Sequence, residues 1–129
     1  TSFNMLRKDG METERFNELN PTAQQKLSYV AECLPCSETP VIAATDYMRA
    51  YPEQIRGYIN GPYYTLGTDG YGRSDSRAKL REFFEVDANS IARVAVYSLF
   101  RKGDLSKKEI SAFYKKLKVD ASKPHPWEV

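Results

Sequence analysis

Apolar and polar positions along the chain fall into helical repeats interrupted by two short apolar runs. The first repeat covers TSFNMLRKDGMETERFNELNP. Glu12, Glu14, Arg15 and Glu18 form its solvated side, and Met5, Leu6, Phe16 and Leu19 are its apolar candidates. Gly10 is a weak point in this helix, costing about 1 kcal/mol against Ala. Pro21 ends the element or lies just past it. TAQQKLSYVAECL predicts a shorter helix with Leu27, Val30 and Ala31 on one face. Pro35 and Pro40 bracket a loop, and PVIAAT then predicts a buried parallel strand over Val41 to Ala44.

Thr45 or Asp46 is the expected cap of the next helix, YMRAYPEQIRGYI. Pro52 kinks it or breaks it into two short helices. YYTLGT gives the second strand, Tyr63 to Leu66, followed by a Gly-rich loop from Gly67 to Asp75. Ser74, Asp75 or Ser76 caps a helix carrying Leu80, Phe83 and Phe84, and Val86 is a candidate for a very short strand. Asp87 opens a helix with Ile91, Val94, Ala95, Ser98 and Leu99 on one face, closed by Arg101, Lys102 and Gly103. Ser106 and Glu109 make a capping box for the last helix, whose Ile110, Phe113, Tyr114 and Leu117 are spaced for one face.

Strands thus alternate with helices. This favours a three-layer α/β domain, with helices on both faces of a small, mostly parallel sheet. Only two strands are strong, with a doubtful third at each edge. A sheet this small fits a chain that begins within a domain. The expected domain spans residues 1–120, and 121–129 form a loose, Pro-bearing tail.

Composition narrows the function classes. The 129 residues fit one domain, and a hydrophobic fraction of 41% supports a real core. A formal charge of +2 gives no nucleic-acid or membrane signal. No run reaches the roughly 18 apolar residues that would span a bilayer. No secretion leader is visible, and two cysteines cannot staple a scaffold, so a reducing, cytoplasmic setting is expected. The opening Thr1-Ser2-Phe3, without Met, suits a processed or cut-down polypeptide.

Cys33-Leu-Pro-Cys36 has the spacing of a redox pair. It follows a helix and precedes a strand, the reverse of the usual order, and a zinc site would need about four ligands. Incidental cysteines are the expected reading; a small redox protein is the alternative. His125, the only histidine, has no nucleophile placed near it and reads as a solvated tail residue. Lys107, Lys108, Lys115, Lys116 and Lys118 make the last helix basic, either as a solvated face or for an acidic partner. Nine Tyr and six Phe could include interface positions. The loop LGTDGYGRSDSR is the most informative stretch. Gly67, Gly70 and Gly72 allow positive φ and close backbone approach, and Arg73 could hold an anion. No Lys follows the last Gly, so it is neither a P-loop nor a dinucleotide fingerprint. It reads as a tight turn against another domain or as a ligand-facing loop.

ATDYMRAYPEQIRGYI, then LGTDGYGRSDSRAKLREFFEVD, closely resembles the C-terminal region of the homodimeric, bacterial-type pyruvate dehydrogenase E1 family, within the transketolase-like superfamily. TSFNMLRKDGMETERFNELNP resembles the segment just upstream, so the likeness runs from Thr1 to about Asp120. Pro52, the cysteine pair and the ending KPHPWEV depart from the family pattern.

The resemblance implies a parent enzyme that holds thiamine diphosphate and magnesium in other domains. Such an enzyme decarboxylates pyruvate and acetylates the lipoyl group of an E2 acetyltransferase. It further implies the rest of the E1 chain and a second E1 subunit as partners, in a bacterial cytoplasm. No catalytic, cofactor or metal residue carries over onto this chain, so the fragment alone is expected to be inactive. What carries over is the signature Gly67, Thr68, Asp69, Gly70, Tyr71, Gly72, Arg73, Ser74 and Asp75, with a structural role or one at the active-site approach. A free-standing interaction module of the same fold is the rival reading.

Overall fold

A computed structural model describes residues 2–129. Thr1, which the sequence places in the first helix and in the domain, lies outside the described residues. The elements run α1 (Phe3–Leu19), α2 (Tyr29–Cys33), β1 (Val41–Ala44), α3 (Ala50–Glu53), β2 (Tyr63–Leu66), α4 (Arg77–Phe83), α5 (Ala88–Lys102) and α6 (Lys107–Lys116). Short 3-10 turns cover Arg56–Tyr58 and Pro126–Glu128.

The sheet is two parallel strands in the register Val41↔Tyr63, Ile42↔Tyr64, Ala43↔Thr65 and Ala44↔Leu66. Side chains alternate across it. Val41, Ala43 and Tyr63 meet Phe3 and Leu6 of α1, Val30 of α2, and Ile55 and Ile59 beyond α3; this is the hydrophobic core. On the opposite face Tyr64 stands edge-on to Tyr97 of α5, ring centres 6.2 Å apart. α6 packs behind α5. Helices therefore cover both faces, as the α/β expectation requires, around a two-stranded sheet.

Several local expectations hold. Ser76 caps α4, Asp87 caps α5 through Ser90 N at 3.1 Å, and the Ser106–Glu109 capping box is complete. Gly103 closes α5, with Asp104 N–H donating to Leu99 O at 2.9 Å. The segment around Pro52 is divided into α3, which carries Pro52 in its first turn, and a separate 3-10 turn.

Others are corrected. α2 begins at Tyr29 rather than Thr22. Both backbone groups of Lys26 are taken by the Asn17 amide, at 2.8 and 2.9 Å, which leaves them no helical partner. Leu27 is consequently 62% exposed instead of on the buried face. β1 is half-buried, with Ala44 exposed. Val86 forms no strand; its N–H donates to Arg81 O at 2.9 Å, closing the end of α4.

Gly10 is no weak point. It is buried, and a Cβ there would lie 2.5 Å from the Tyr58 ring. The missing side chain is what lets α1 dock on the turn after α3.

Candidate functional site

β2 ends at Leu66, and the signature loop leaves from its carboxyl end, the edge of a parallel sheet where sites commonly form. The loop's first three residues are clamped to the segment after β1. Thr68 N–H donates to Tyr47 O at 2.8 Å, and the Thr68 hydroxyl donates to Asp46 O at 3.2 Å. Gly67 permits this approach, because a Cβ would stand 2.7 Å from both Arg49 N and Tyr47 O.

Asp69 Oδ1 accepts the Arg49 N–H at 3.0 Å. Arg49 is the N-cap residue of α3 and makes no side-chain cap of its own. A carboxylate twenty residues away in sequence therefore serves the helix start. Thr45 and Asp46 do not cap it, contrary to the sequence expectation. The Thr45 hydroxyl accepts the Tyr47 N–H at 3.2 Å, and the helix opens only at Ala50. Arg49 Nε lies 3.4 Å from Asp69 Oδ2, near enough for an ion pair but without hydrogen-bond alignment.

The second half of the loop is different. Gly70 has φ +120 and faces the backbone of Pro126 and Trp127. Tyr71 is 79% exposed, and nothing crowds Gly72. The Arg73 guanidinium lies over the Phe83 ring at 4.1 Å. Ser74 is exposed, and Asp75 Oδ1 accepts the Ser76 N–H at 2.6 Å. The outer residues border a cavity of about 450 Å³ that reaches α4.

The other singled-out residues lie apart. Cys33 and Cys36 are both exposed, at the end of α2 and in the loop beyond it. The Thr39 hydroxyl donates to Cys36 Sγ at 3.1 Å. With backbone N–H groups of Glu38 and Thr39, that bond holds the Cys36 thiol below its usual pKa. His125 stacks on Trp127 with ring centres 3.5 Å apart and faces no nucleophile. The lysines of α6 are exposed.

The sequence reading missed the network that ties α3 to β2. Glu53 accepts two hydrogen bonds from Arg56, at 2.6 and 2.8 Å, and another from the Thr65 hydroxyl. Arg56 also donates to Tyr63 O at 2.9 Å. The Arg56 hydrogen bonds, with help from Thr65, bring the Glu53 carboxyl down to about 2. Burial pushes the Tyr63 hydroxyl up to about 12, while it donates to Pro52 O at 2.7 Å. Only the Glu53–Arg56 spacing was visible in sequence.

Comparison with known proteins agrees with this arrangement. The family described as transketolase-like TK C-terminal domain matches residues 2–87. Proteins named pyruvate dehydrogenase E1 component are similar over almost the whole chain. That of Pseudomonas aeruginosa is 48% identical over 126 residues, covering 97% of this chain and 14% of its own. The Cupriavidus necator protein is 44% identical over 128 residues, covering 99% and 14%. The Escherichia coli K12 protein is 41% identical over 127 residues, covering 98% and 14%. The chain thus spans about a seventh of the length of these relatives. With the family matched across β1, β2 and the clamped loop, and with near-complete coverage by these relatives, the chain belongs to the transketolase-like TK C-terminal domain family.

Proposed function

We propose that this chain is the C-terminal scaffold and interface domain of a thiamine-diphosphate-dependent pyruvate dehydrogenase E1. The observation that carries it is the 41–48% identity to E1 components across nearly every element of the fold. The clamp supports the scaffold role. Thr68 and Asp69 spend polar groups on the Asp46–Arg49 backbone, which Gly67 lets approach, as a structural turn does.

The parent enzyme decarboxylates pyruvate and acetylates the lipoyl group of an E2 acetyltransferase, using thiamine diphosphate and magnesium. Among the described residues no group of three or more His, Cys, Asp or Glu is placed to hold a metal ion. In this reading the cofactor belongs to the remaining polypeptide. The partners in this reading are the rest of the E1 chain, a second E1 subunit and E2, in a bacterial cytoplasm. Among the described residues no helix is long and apolar enough to cross a membrane.

Two measurements test the proposal. The purified chain, given pyruvate, thiamine diphosphate and magnesium, should release no more carbon dioxide than the cofactor alone; faster release refutes the scaffold role. The Escherichia coli E1 component carrying this chain in place of its matching segment should keep pyruvate dehydrogenase activity. A folded but inactive chimera counts against the assignment.

A further inference from the structure

Three arginines line the cavity between the outer half of the signature loop and α4: Arg73, Arg77 and Arg81. The ion pairs among the described residues all lie elsewhere, on Lys8, Arg49, Arg56, Arg93, Lys102 and Lys123. Arg77 and Arg81 stand four residues apart on one helix, a like-charge spacing that destabilises the helix carrying it. The Arg73 guanidinium lies over the Phe83 ring at 4.1 Å, and among the described residues the guanidinium groups of Arg73, Arg77 and Arg81 donate no hydrogen bond. Three exposed guanidinium groups therefore border one concavity without an ion pair of their own, and their summed positive charge favours an anion there.

We propose that this cavity binds a small phosphate-bearing molecule, held by Arg73, Arg77 and Arg81. A guanidinium matches phosphate oxygens with two parallel donors, and three of them can surround one phosphate or diphosphate group. Asp46 and Asp75 also line the cavity, which leaves three positive groups against two negative ones. One Asp75 oxygen is already occupied by the Ser76 N–H at 2.6 Å. Leu80, Phe84 and Val86 give the cavity an apolar floor for the organic part of the ligand. Its volume, about 450 Å³, is that of a small-molecule site. The site lies beyond the carboxyl end of β2, where the outer loop residues and α4 meet Asp46 and Thr68 of the clamp. It does not rest on the activity proposed for the parent enzyme, since binding is read on this chain alone.

The test is an NMR titration of the 129-residue chain with inorganic pyrophosphate at constant ionic strength. Saturable shifts are expected at Gly70, Gly72 and the three arginines. Arg77→Gln with Arg81→Gln should weaken binding by about tenfold or more, as loss of two charge-assisted contacts implies. Lys107→Gln with Lys108→Gln removes the same charge from α6 and should leave the affinity unchanged. Asp75→Asn keeps the acceptor for Ser76 while removing a negative charge, and should tighten binding. Unchanged signals away from the substituted positions show that each variant is folded. Shifts that never saturate, or an equal loss in the two double variants, overturn the proposal.

Discussion

Single side chains carry most of the polar organisation. Glu53 is the clearest: its folded pKa is depressed from the ordinary 4.5 to about 2 by its bonds to Arg56 and Thr65. The stabilisation is therefore complete above pH 4.5 and is lost as pH falls toward 2, where the folded carboxyl also takes its proton. Its side chain is 37% exposed, so solvent screening keeps the effect to about 1 kcal/mol or less. Urea midpoints measured across that acid window should fall more steeply for the native chain than for Glu53→Gln. Parallel curves would mean that the pair adds nothing. Cys36 gives a second expectation. Three donors favour its thiolate, so it should react with iodoacetamide several-fold faster than Cys33 at neutral pH. Thr39→Val should remove most of that difference, read by mass spectrometry of the two alkylated sites; equal rates in the native chain would contradict the geometry.

At the scale of elements, α1 shows what propensity misses. Ala at position 10 would favour the isolated helix by about 1 kcal/mol. In the fold its Cβ meets the Tyr58 ring, which is anchored by a hydrogen bond to Glu14 at 3.3 Å. Overpacking of this kind costs about 1–3 kcal/mol, so Gly10→Ala should destabilise the protein by about 1 kcal/mol net in urea unfolding. In a Tyr58→Ala background the same substitution should stabilise it. A stabilised single variant would show that α1 does not dock through position 10. The same contrast explains what was legible in the sequence. β2, the α5 and α6 caps and the break near Pro52 follow from spacing and local side-chain chemistry, and the structure has them. Ser28 caps α2 locally, but Asn17 holds Lys26 out of that helix, and Asp69 serves the start of α3; both act from a distance in sequence. The loop was marked by its GTDGYGRSD string, but its division into a clamped half and a free half depends on where the Asp46–Arg49 backbone lies. No local pattern encodes that.

For the whole molecule, the open question is how far the last residues share in the fold. Their sequence suggests a loose end, yet their contacts reach three separate parts. Lys123 Nζ donates to Glu82 O at 2.8 Å and lies 3.6 Å from Glu85, which also pairs with Arg93 of α5. Pro126 is buried, and its carbonyl sits against Gly70 of the signature loop. The protein's single tryptophan, Trp127, is in this segment, 54% exposed and stacked on His125. It therefore reports on the tail, while far-UV circular dichroism reports on the helices. If the contacts bind the tail into one cooperative unit, the two signals lose structure together at a single urea midpoint. Lys123→Met, which removes the link to α4 and Glu85, should then shift both transitions together by about 1–2 kcal/mol. A tryptophan transition that precedes the helical one would instead place the tail outside the cooperative fold, with residues 1–120 unfolding as the domain on their own.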